Sequence, residues 1–193
     1  MVAITMEQHL PFKAIPYEQA TVEVQQIYDE TKRALGLPFV LNWFTCQGGN
    51  PLLLQGNWTK LRATLIEGVV PNIIKQLIIY NVSAQRGCQY CAKAHAVFAN
   101  TMGKSFGENF IITQNLDSDL IPLSYRTAVK VVTKAALHSA SITTTDFQQL
   151  TDVGFNQSEI QELMAQADLV NMLNTIADIS GIKIDNELLE IDT

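Results

Sequence analysis

The sequence predicts an all-α protein, and three of its features support that fold class. Several long segments repeat apolar residues every three or four positions, which is the spacing of a buried helix face. No segment alternates apolar and polar residues as a half-buried strand does. Glycines and prolines stand where the apolar repeats begin and end. We therefore expect one domain of about seven to nine helices over residues 1–193, with an N-terminal arm at 1–15 and a C-terminal tail at 182–193.

Composition and charge limit the partners and the cellular location that we expect. The net charge of −6 disfavours nucleic acid or an anionic membrane as a partner, because both attract basic surfaces. No apolar run reaches the roughly 18 residues that span a bilayer, and the N-terminus lacks the basic and apolar regions of a signal peptide. The three cysteines do not make a secreted disulfide framework. We expect a cytoplasmic protein.

The first predicted helix covers residues 16–35. Pro16 suits the first helical turn, and Lys32 and Arg33 complement the helix dipole at the other end. Gly36 ends the helix, whose apolar stripe is Val22, Ile27, Thr31 and Leu35. Residues 39–44 follow with several large apolar side chains, which we expect in the core or at a subunit interface. The alternative is that their rings line a pocket. We expect Cys46 to be a small buried hydrophobe.

Two further helices are predicted over residues 51–67 and 71–85. The first is expected to bury Leu52, Leu53, Trp58, Leu61 and Leu65. The second is apolar on most faces, which predicts a central position in the fold. Along it, Gln76, Tyr80 and Ser83 form a narrow polar line at helical spacing. From spacing alone this line is either a hydrogen-bonded seam in the core or one wall of a site.

Residues 87–95, GCQYCAKAH, contain the strongest chemical motif, a Cys-x-x-Cys followed after three residues by a histidine. In a helix, Cys88, Cys91 and His95 share a face, and Cys91 and His95 are four residues apart. Alanines favour a helix here, with Gly103 as a stop. Cys88 would lie in the first turn, where the dipole favours a thiolate. Two thiols and an imidazole predict a redox centre.

The C-terminal half continues the helical pattern. We expect a helix over residues 122–140, a short helix over 146–153 capped by Thr145, and a long helix from Asn156 to about residue 179. Gly181 ends that last helix. The acidic tail at 182–193 is expected to fray or to dock on a neighbouring subunit.

Residues 71–103, PNIIKQLIIYNVSAQRGCQYCAKAHAVFANTMG, resemble the core motif of the alkylhydroperoxidase AhpD-like family, which also contains the carboxymuconolactone decarboxylases. That motif has a helix with a glutamate, eleven intervening residues and then Cys-x-x-Cys-x-x-x-His; Gly87 and Tyr90 also match its usual residues. Residues 27–30 and 36–40 are similar to the peroxidase-related branch. The resemblance spans most of residues 10–140. It departs at the position of the family glutamate, which is Gln76 here.

The resemblance implies a thiol peroxidase or disulfide oxidoreductase. Cys91 would attack a hydroperoxide or disulfide with His95 exchanging its proton, and Cys88 would resolve the oxidised sulfur as a disulfide. The helix N-terminus favours Cys88 as the thiolate, so the identity of the attacking sulfur stays open. Gln76 keeps a hydrogen bond but accepts no proton, which predicts weak peroxidase activity or a thiol–disulfide role.

The resemblance also bears on pocket, partners and cofactors. It implies that Gln76 faces Cys91 and His95, with Tyr80, Ser83 and Tyr90 as pocket candidates. No cofactor is expected beyond the Cys88–Cys91 disulfide. The implied reductant is a lipoyl domain or a thioredoxin-like protein, and the implied assembly is a homotrimer or homohexamer. Glu67 and Glu108 are candidates to replace the missing glutamate.

Three alternatives remain open. Zinc would have ligands in Cys88, Cys91 and His95, but Cys46 and His9 are distant as a fourth, and three ligands on one helix suit tetrahedral geometry poorly. A lactone decarboxylase belongs to the same superfamily, although its members typically do not rely on a cysteine pair. A non-enzymatic oligomer with a relic motif is the third. We expect His9 and His138 to be structural or surface residues.

Overall fold

All regular structure in the described part of the chain is helical, as the sequence predicts. The structure is a computed structural model that describes residues 12–191, so His9 lies outside the described residues. Within them there are nine α-helices: α1 (Val22–Leu35), α2 (Asn42–Thr45), α3 (Pro51–Leu61), α4 (Asn72–Arg86), α5 (Gln89–Gly103), α6 (Leu123–Leu137), α7 (Thr144–Asp152), α8 (Gln157–Ser180) and α9 (Asn186–Ile191).

The core of the fold is built around α4. This helix packs against α5, α6 and α8, and Ile74, Leu77 and Ile78 are at most 1% exposed. Its predicted central position is confirmed. Gly87 ends α4 with φ of 78°, a left-handed conformation that favours glycine. The chain then reverses into α5, which places the two helices side by side.

Two N-terminal predictions are corrected. Helix α1 begins at Val22 because the Thr21 side chain accepts a hydrogen bond from the backbone N–H of Val24 and caps the helix. Residues 17–19 form a separate 3-10 turn. The cap also sets which residues face inward. Val22 is 71% exposed, whereas Val24 and Tyr28 are fully buried.

The helix predicted over 51–67 is also shorter and turned differently. The α-helical part, α3, ends at Leu61, and one π-helical turn follows it over Arg62–Ile66. Asn50 caps its start by accepting from the N–H of Leu53, which directs Leu54 rather than Leu52 to the core. Leu52 is 83% exposed and Leu53 is 50% exposed, while Leu54 is fully buried.

A buried ion pair fixes the turn that leads into α4. Lys75 Nζ lies 2.5 Å from a Glu162 carboxylate oxygen, and Glu162 also accepts from the N–H groups of Val69 and Val70. Gly68 has φ of 104°, and a Cβ there would clash with the Glu162 carboxylate. The turn is therefore held against α8, beside the start of α4.

The C-terminal half follows the predicted helices with two corrections. Thr143, not Thr145, caps the start of α7, because Thr143 and Asp146 form a reciprocal capping box. Asn156 caps α8 as predicted. The described part of the tail docks on its own chain, as α9 packs against α5. Leu188 is fully buried there, so this part of the tail is not frayed.

One connected cluster of buried apolar side chains draws on all nine helices. It extends from Val24 in α1 to Leu188 in α9. In the described part of the chain, no helix is long and apolar enough to cross a membrane.

Candidate active site

The two cysteines of the motif lie together at the start of α5. Cys88 is the N-cap of the helix and Cys91 lies in its first turn; each is 1% exposed, and both are free thiols. The two neighbouring sulfurs affect each other, so that Cys91 lowers the pKa of Cys88 and Cys88 raises the pKa of Cys91. Burial raises the pKa of Cys91 further. Cys88 is therefore the first of the pair to ionise.

Cys91 opens onto an apolar cavity of about 120 Å³. His95 and Gln76 line the cavity with it, as does Tyr90. Most of the remaining wall is apolar and includes Leu41, Trp43, Phe44, Leu61, Phe98 and Leu173. Cys88 does not line the cavity, so only one of the two sulfurs faces it.

A chain of hydrogen bonds fixes the proton on His95. Its Nδ1 lies 2.6 Å from Gln76 Oε1; Gln76 Nε2 donates to Asn72 Oδ1 (2.9 Å), and Asn72 Nδ2 donates to the Leu65 carbonyl (3.5 Å). Because a carbonyl can only accept, this order of donors assigns both amides and puts the histidine proton on Nδ1. His95 Nε2 has no hydrogen-bond partner among the described residues.

Burial also keeps His95 neutral. It lowers the pKa of the imidazole to about 3. Gln76 brings no charge to oppose this effect. Glu67 pairs instead with Arg62 on the surface (3.3 Å), and the exposed Glu108 does not line the cavity. Neither glutamate replaces the family residue.

Tyr90, between the two cysteines, is held by the C-terminal segment. Its hydroxyl donates to Asp185 Oδ2 (2.7 Å) and accepts from the Trp43 N–H (3.3 Å). Asp185 Oδ1 accepts from the Asn42 N–H (2.7 Å). Burial raises the pKa of both Tyr90 and Asp185. The carboxylate of Asp185 thus joins α2 to α5 at the cavity wall.

The other side of the thiol pair is polar. Cys88 Sγ lies 4.0 Å from the backbone carbonyl of Asn174 in α8, and Ser83 donates to Asn174 Oδ1 (2.8 Å). The carboxylate of Asp178 acts to raise the pKa of Cys88, against the larger effect of Cys91. Ser83 therefore lies on the Cys88 side, away from the cavity.

The structure brings most of the predicted site residues together. Gln76, Tyr90, Cys91 and His95 meet at the cavity, with Cys88 behind Cys91. Tyr80 and Ser83 do not line it, because they lie about one and two helical turns beyond Gln76 along α4. The aromatic segment 39–44 has both expected properties, since Trp43 and Phe44 are buried in the core and also line the cavity.

The sequence analysis missed two residues that support the site, Asn72 and Asp185. Asn72 carried a detectable signal, because it lies four residues before Gln76 on the same helix face. Asp185 carried no such signal, because its partners are distant in sequence.

Cys46 is 3% exposed, and burial raises the pKa of its thiol, in keeping with a small buried hydrophobe. The described residues contain no group of three or more His, Cys, Asp or Glu side chains placed to hold a metal ion.

Comparison with known proteins supports the sequence resemblance. A segment of 83 residues, 42% of this chain, is 32% identical to an alkyl hydroperoxide reductase of Mycobacterium tuberculosis. The matched segment spans only 23% of that relative's length. No family model matches the chain.

Solved structures identify the fold. A peroxidase-related protein of Ralstonia eutropha JMP134, described as an alkylhydroperoxidase AhpD core, superposes with a TM-score of 0.77 at 21% identity, covering 91% of this chain and 93% of that one. A peroxidase-related protein of Silicibacter sp. TM1040 gives the same TM-score and identity over 96% and 97% of the chains. The debrominase Bmp8 gives 0.72 at 17% identity over 88% and 90%. The protein thus has the AhpD-like helical fold, as the sequence predicts.

Proposed function

We propose that the protein is a thiol-dependent oxidoreductase that reduces a small hydroperoxide and stores the oxidation as a Cys88–Cys91 disulfide. One observation carries the proposal. Two buried thiols lie close enough to shift each other's pKa, and one of them faces an apolar cavity beside an unprotonated imidazole nitrogen. The AhpD-like fold and the similarity to an alkyl hydroperoxide reductase support the same chemistry.

Once it has lost its proton, Cys88 supplies the base that His95 cannot. Cys91 passes its proton to the Cys88 thiolate and attacks the distal oxygen of the bound hydroperoxide. The O–O bond breaks, Cys91 becomes a sulfenic acid, and the departing alkoxide recovers the proton from Cys88. This route needs no charged relay at Gln76, which distinguishes it from the route that the family resemblance implies.

Disulfide formation completes the oxidative half of the cycle. The regenerated Cys88 thiolate attacks the Cys91 sulfenic acid, and the displaced hydroxide takes a proton from solvent. Overall, one thiolate, one thiol, one hydroperoxide and one proton give a disulfide, an alcohol and water. A dithiol, on a lipoyl domain or a thioredoxin-like protein, then restores both thiols by exchange. We place this cycle in the reducing cytoplasm, in a homo-oligomer without other cofactors.

The first experiment follows free thiols after a reduced sample meets excess tert-butyl hydroperoxide, with metal content measured alongside. We expect rapid loss of two thiols per chain, slowed most by Cys91→Ser. Cys46→Ser is the matched control, because it removes a buried cysteine outside the motif and should leave both losses intact. Oxidation no faster than that of free cysteine would refute the proposal.

Reductive dehalogenation is a second candidate. The debrominase Bmp8 shares the fold, and a cysteine-to-alanine variant of it has been solved with 2,3,4-tribromopyrrole. Here too a thiol lies in the wall of a small apolar cavity. Two thiols would become a disulfide while a bromoarene becomes an arene and hydrogen bromide. Incubation of the reduced protein with tribromopyrrole should then release one bromide for each pair of thiols lost; thiol loss without bromide excludes this activity.

A further inference from the structure

The cavity beside Cys91 matches one small ring in size. A volume of about 120 Å³ is close to that of engineered apolar cavities of about 150 Å³ that bind benzene. Trp43, Phe44 and Phe98 supply flat aromatic surfaces to its wall. A ligand of this size would therefore replace empty apolar space with packing contacts.

No side chain with a formal charge at neutral pH lines the cavity among the residues that the structure describes. Its wall contains no lysine, arginine, aspartate or glutamate, and His95 is neutral. An anion would lose its hydration there without gaining a counter-charge, which is costly. The same argument disfavours cations, because no carboxylate faces the space.

The polar groups of the wall are mostly committed to protein partners. The Tyr90 hydroxyl donates to Asp185, and Trp43 Nε1 donates to the Leu173 carbonyl (3.1 Å). The Cys91 thiol lies beside Cys88, whose pKa it lowers. His95 Nε2 differs, because the hydrogen-bond chain through Gln76 leaves its lone pair free to accept.

We propose that the cavity binds an uncharged molecule about the size of one six-membered ring, whose N–H or O–H group donates to His95 Nε2, and that it rejects anions. This inference names the substrate class of the site and rests on the proposed function. The substrate would then be a small neutral hydroperoxide, oriented by its own O–H group toward the wall that carries Cys91. A hydroperoxide with a carboxylate would be excluded.

Nitrogen NMR tests the donor directly in the unaltered protein. The reduced sample carries ¹⁵N-histidine and is titrated with phenol, with fluorobenzene as a ring without a donor, and with benzoate as an anion. The chain has three histidines, and loss of one signal pair in His95→Leu assigns His95. We expect an unprotonated Nε2 whose resonance shifts with phenol and not with fluorobenzene. A proton on Nε2, or a response to benzoate, would overturn the proposal.

Affinities then measure the hydrogen bond, read from the tryptophan fluorescence, to which Trp43 in the wall contributes. Phenol and fluorobenzene differ in hydrophobicity, so the informative quantity is the ratio of their dissociation constants in the wild type compared with that in His95→Leu. Loss of one neutral hydrogen bond should shift this ratio about five- to tenfold against phenol. An unchanged ratio contradicts the assigned acceptor.

These titrations use no oxidant, so they separate the two proposals. Rapid thiol oxidation without phenol binding would refute the ligand class and leave the oxidoreductase intact. Phenol binding without thiol oxidation would uphold the ligand class and refute the peroxidase.

Discussion

The two sides of the thiol pair differ more than their positions in the sequence suggest. Cys91 faces an apolar cavity with a neutral histidine, whereas Cys88 faces the Asn174 carbonyl and the Asp178 carboxylate of α8. The two cysteines stand three residues apart around one helix turn. Their surroundings, rather than their chemistry, therefore distinguish the two sulfurs, and the proposed function assigns attack on the substrate to Cys91 and the role of base to Cys88.

Substitution of the attacking sulfur should have the largest effect on the rate of thiol oxidation. We expect Cys91→Ser to slow thiol oxidation by a tert-alkyl hydroperoxide at least ~100-fold, because it removes the nucleophile. Cys88→Ser should react more slowly than wild type, since it lacks the base, and should stop at a sulfenic acid on Cys91. Mass spectrometry after trapping with dimedone measures both. A trapped sulfenic acid on Cys88 in the Cys91→Ser variant, formed at the wild-type rate, would reverse the assignment.

The cavity wall on the Cys91 side depends on Asp185. We expect Asp185→Ala to lower the free energy of unfolding by about 3 kcal/mol, because Tyr90 and Asn42 both lose a charged acceptor. Urea denaturation measures this loss. The exposed neighbour Glu187 provides the control, and Glu187→Ala should cost less than about 0.5 kcal/mol. If Asp185 acts through Tyr90, the double variant with Tyr90→Phe will lose less than the two single variants together.

Acid should weaken the fold through His95 on the same side. Its pKa is about 3 in the folded protein and near 6.5 in an unfolded chain, so between these values only the unfolded state binds the proton. Stability therefore falls as pH drops below 6.5, by up to about 2 kcal/mol at pH 5. Urea denaturation at pH 7 and pH 5 measures the loss. His95→Gln should remove that part of the difference, and an equal pH dependence in both proteins would contradict the buried neutral histidine.

A carboxylate at position 76 should increase the difference in reactivity between the Cys91 side and the Cys88 side of the thiol pair. Gln76→Glu places a carboxylate beside His95 Nδ1, which raises the pKa of His95 and makes it a usable base. We expect thiol oxidation to accelerate about tenfold, while reduction of the disulfide by dithiothreitol stays unchanged. Gln76→Met, which removes the hydrogen bond without adding charge, is the matched variant and should not accelerate the reaction. Equal rates in both variants would contradict a role for charge at this position.

The parts predicted well from sequence are those fixed by local interactions. Gly36, Gly87 and Gly181 end helices in the left-handed conformation, which glycine adopts without strain. Asn156 caps α8 through its own side chain. The motif of Cys88, Cys91 and His95 follows from helical spacing within one segment. The errors at Thr145 and Leu52 also arose at helix starts, where a shift of one or two residues changes both the cap and the inward face.

The sequence alone thus determined the all-α class, the central helix α4 and the motif on α5, because neighbouring residues dictate helix formation and spacing. Only the tertiary structure decided which sulfur faces the cavity, how the proton is placed on His95, and that Asp185 holds Tyr90 from 95 residues away. These features depend on contacts between elements far apart in the chain. A single sequence carries no local pattern from which such contacts follow.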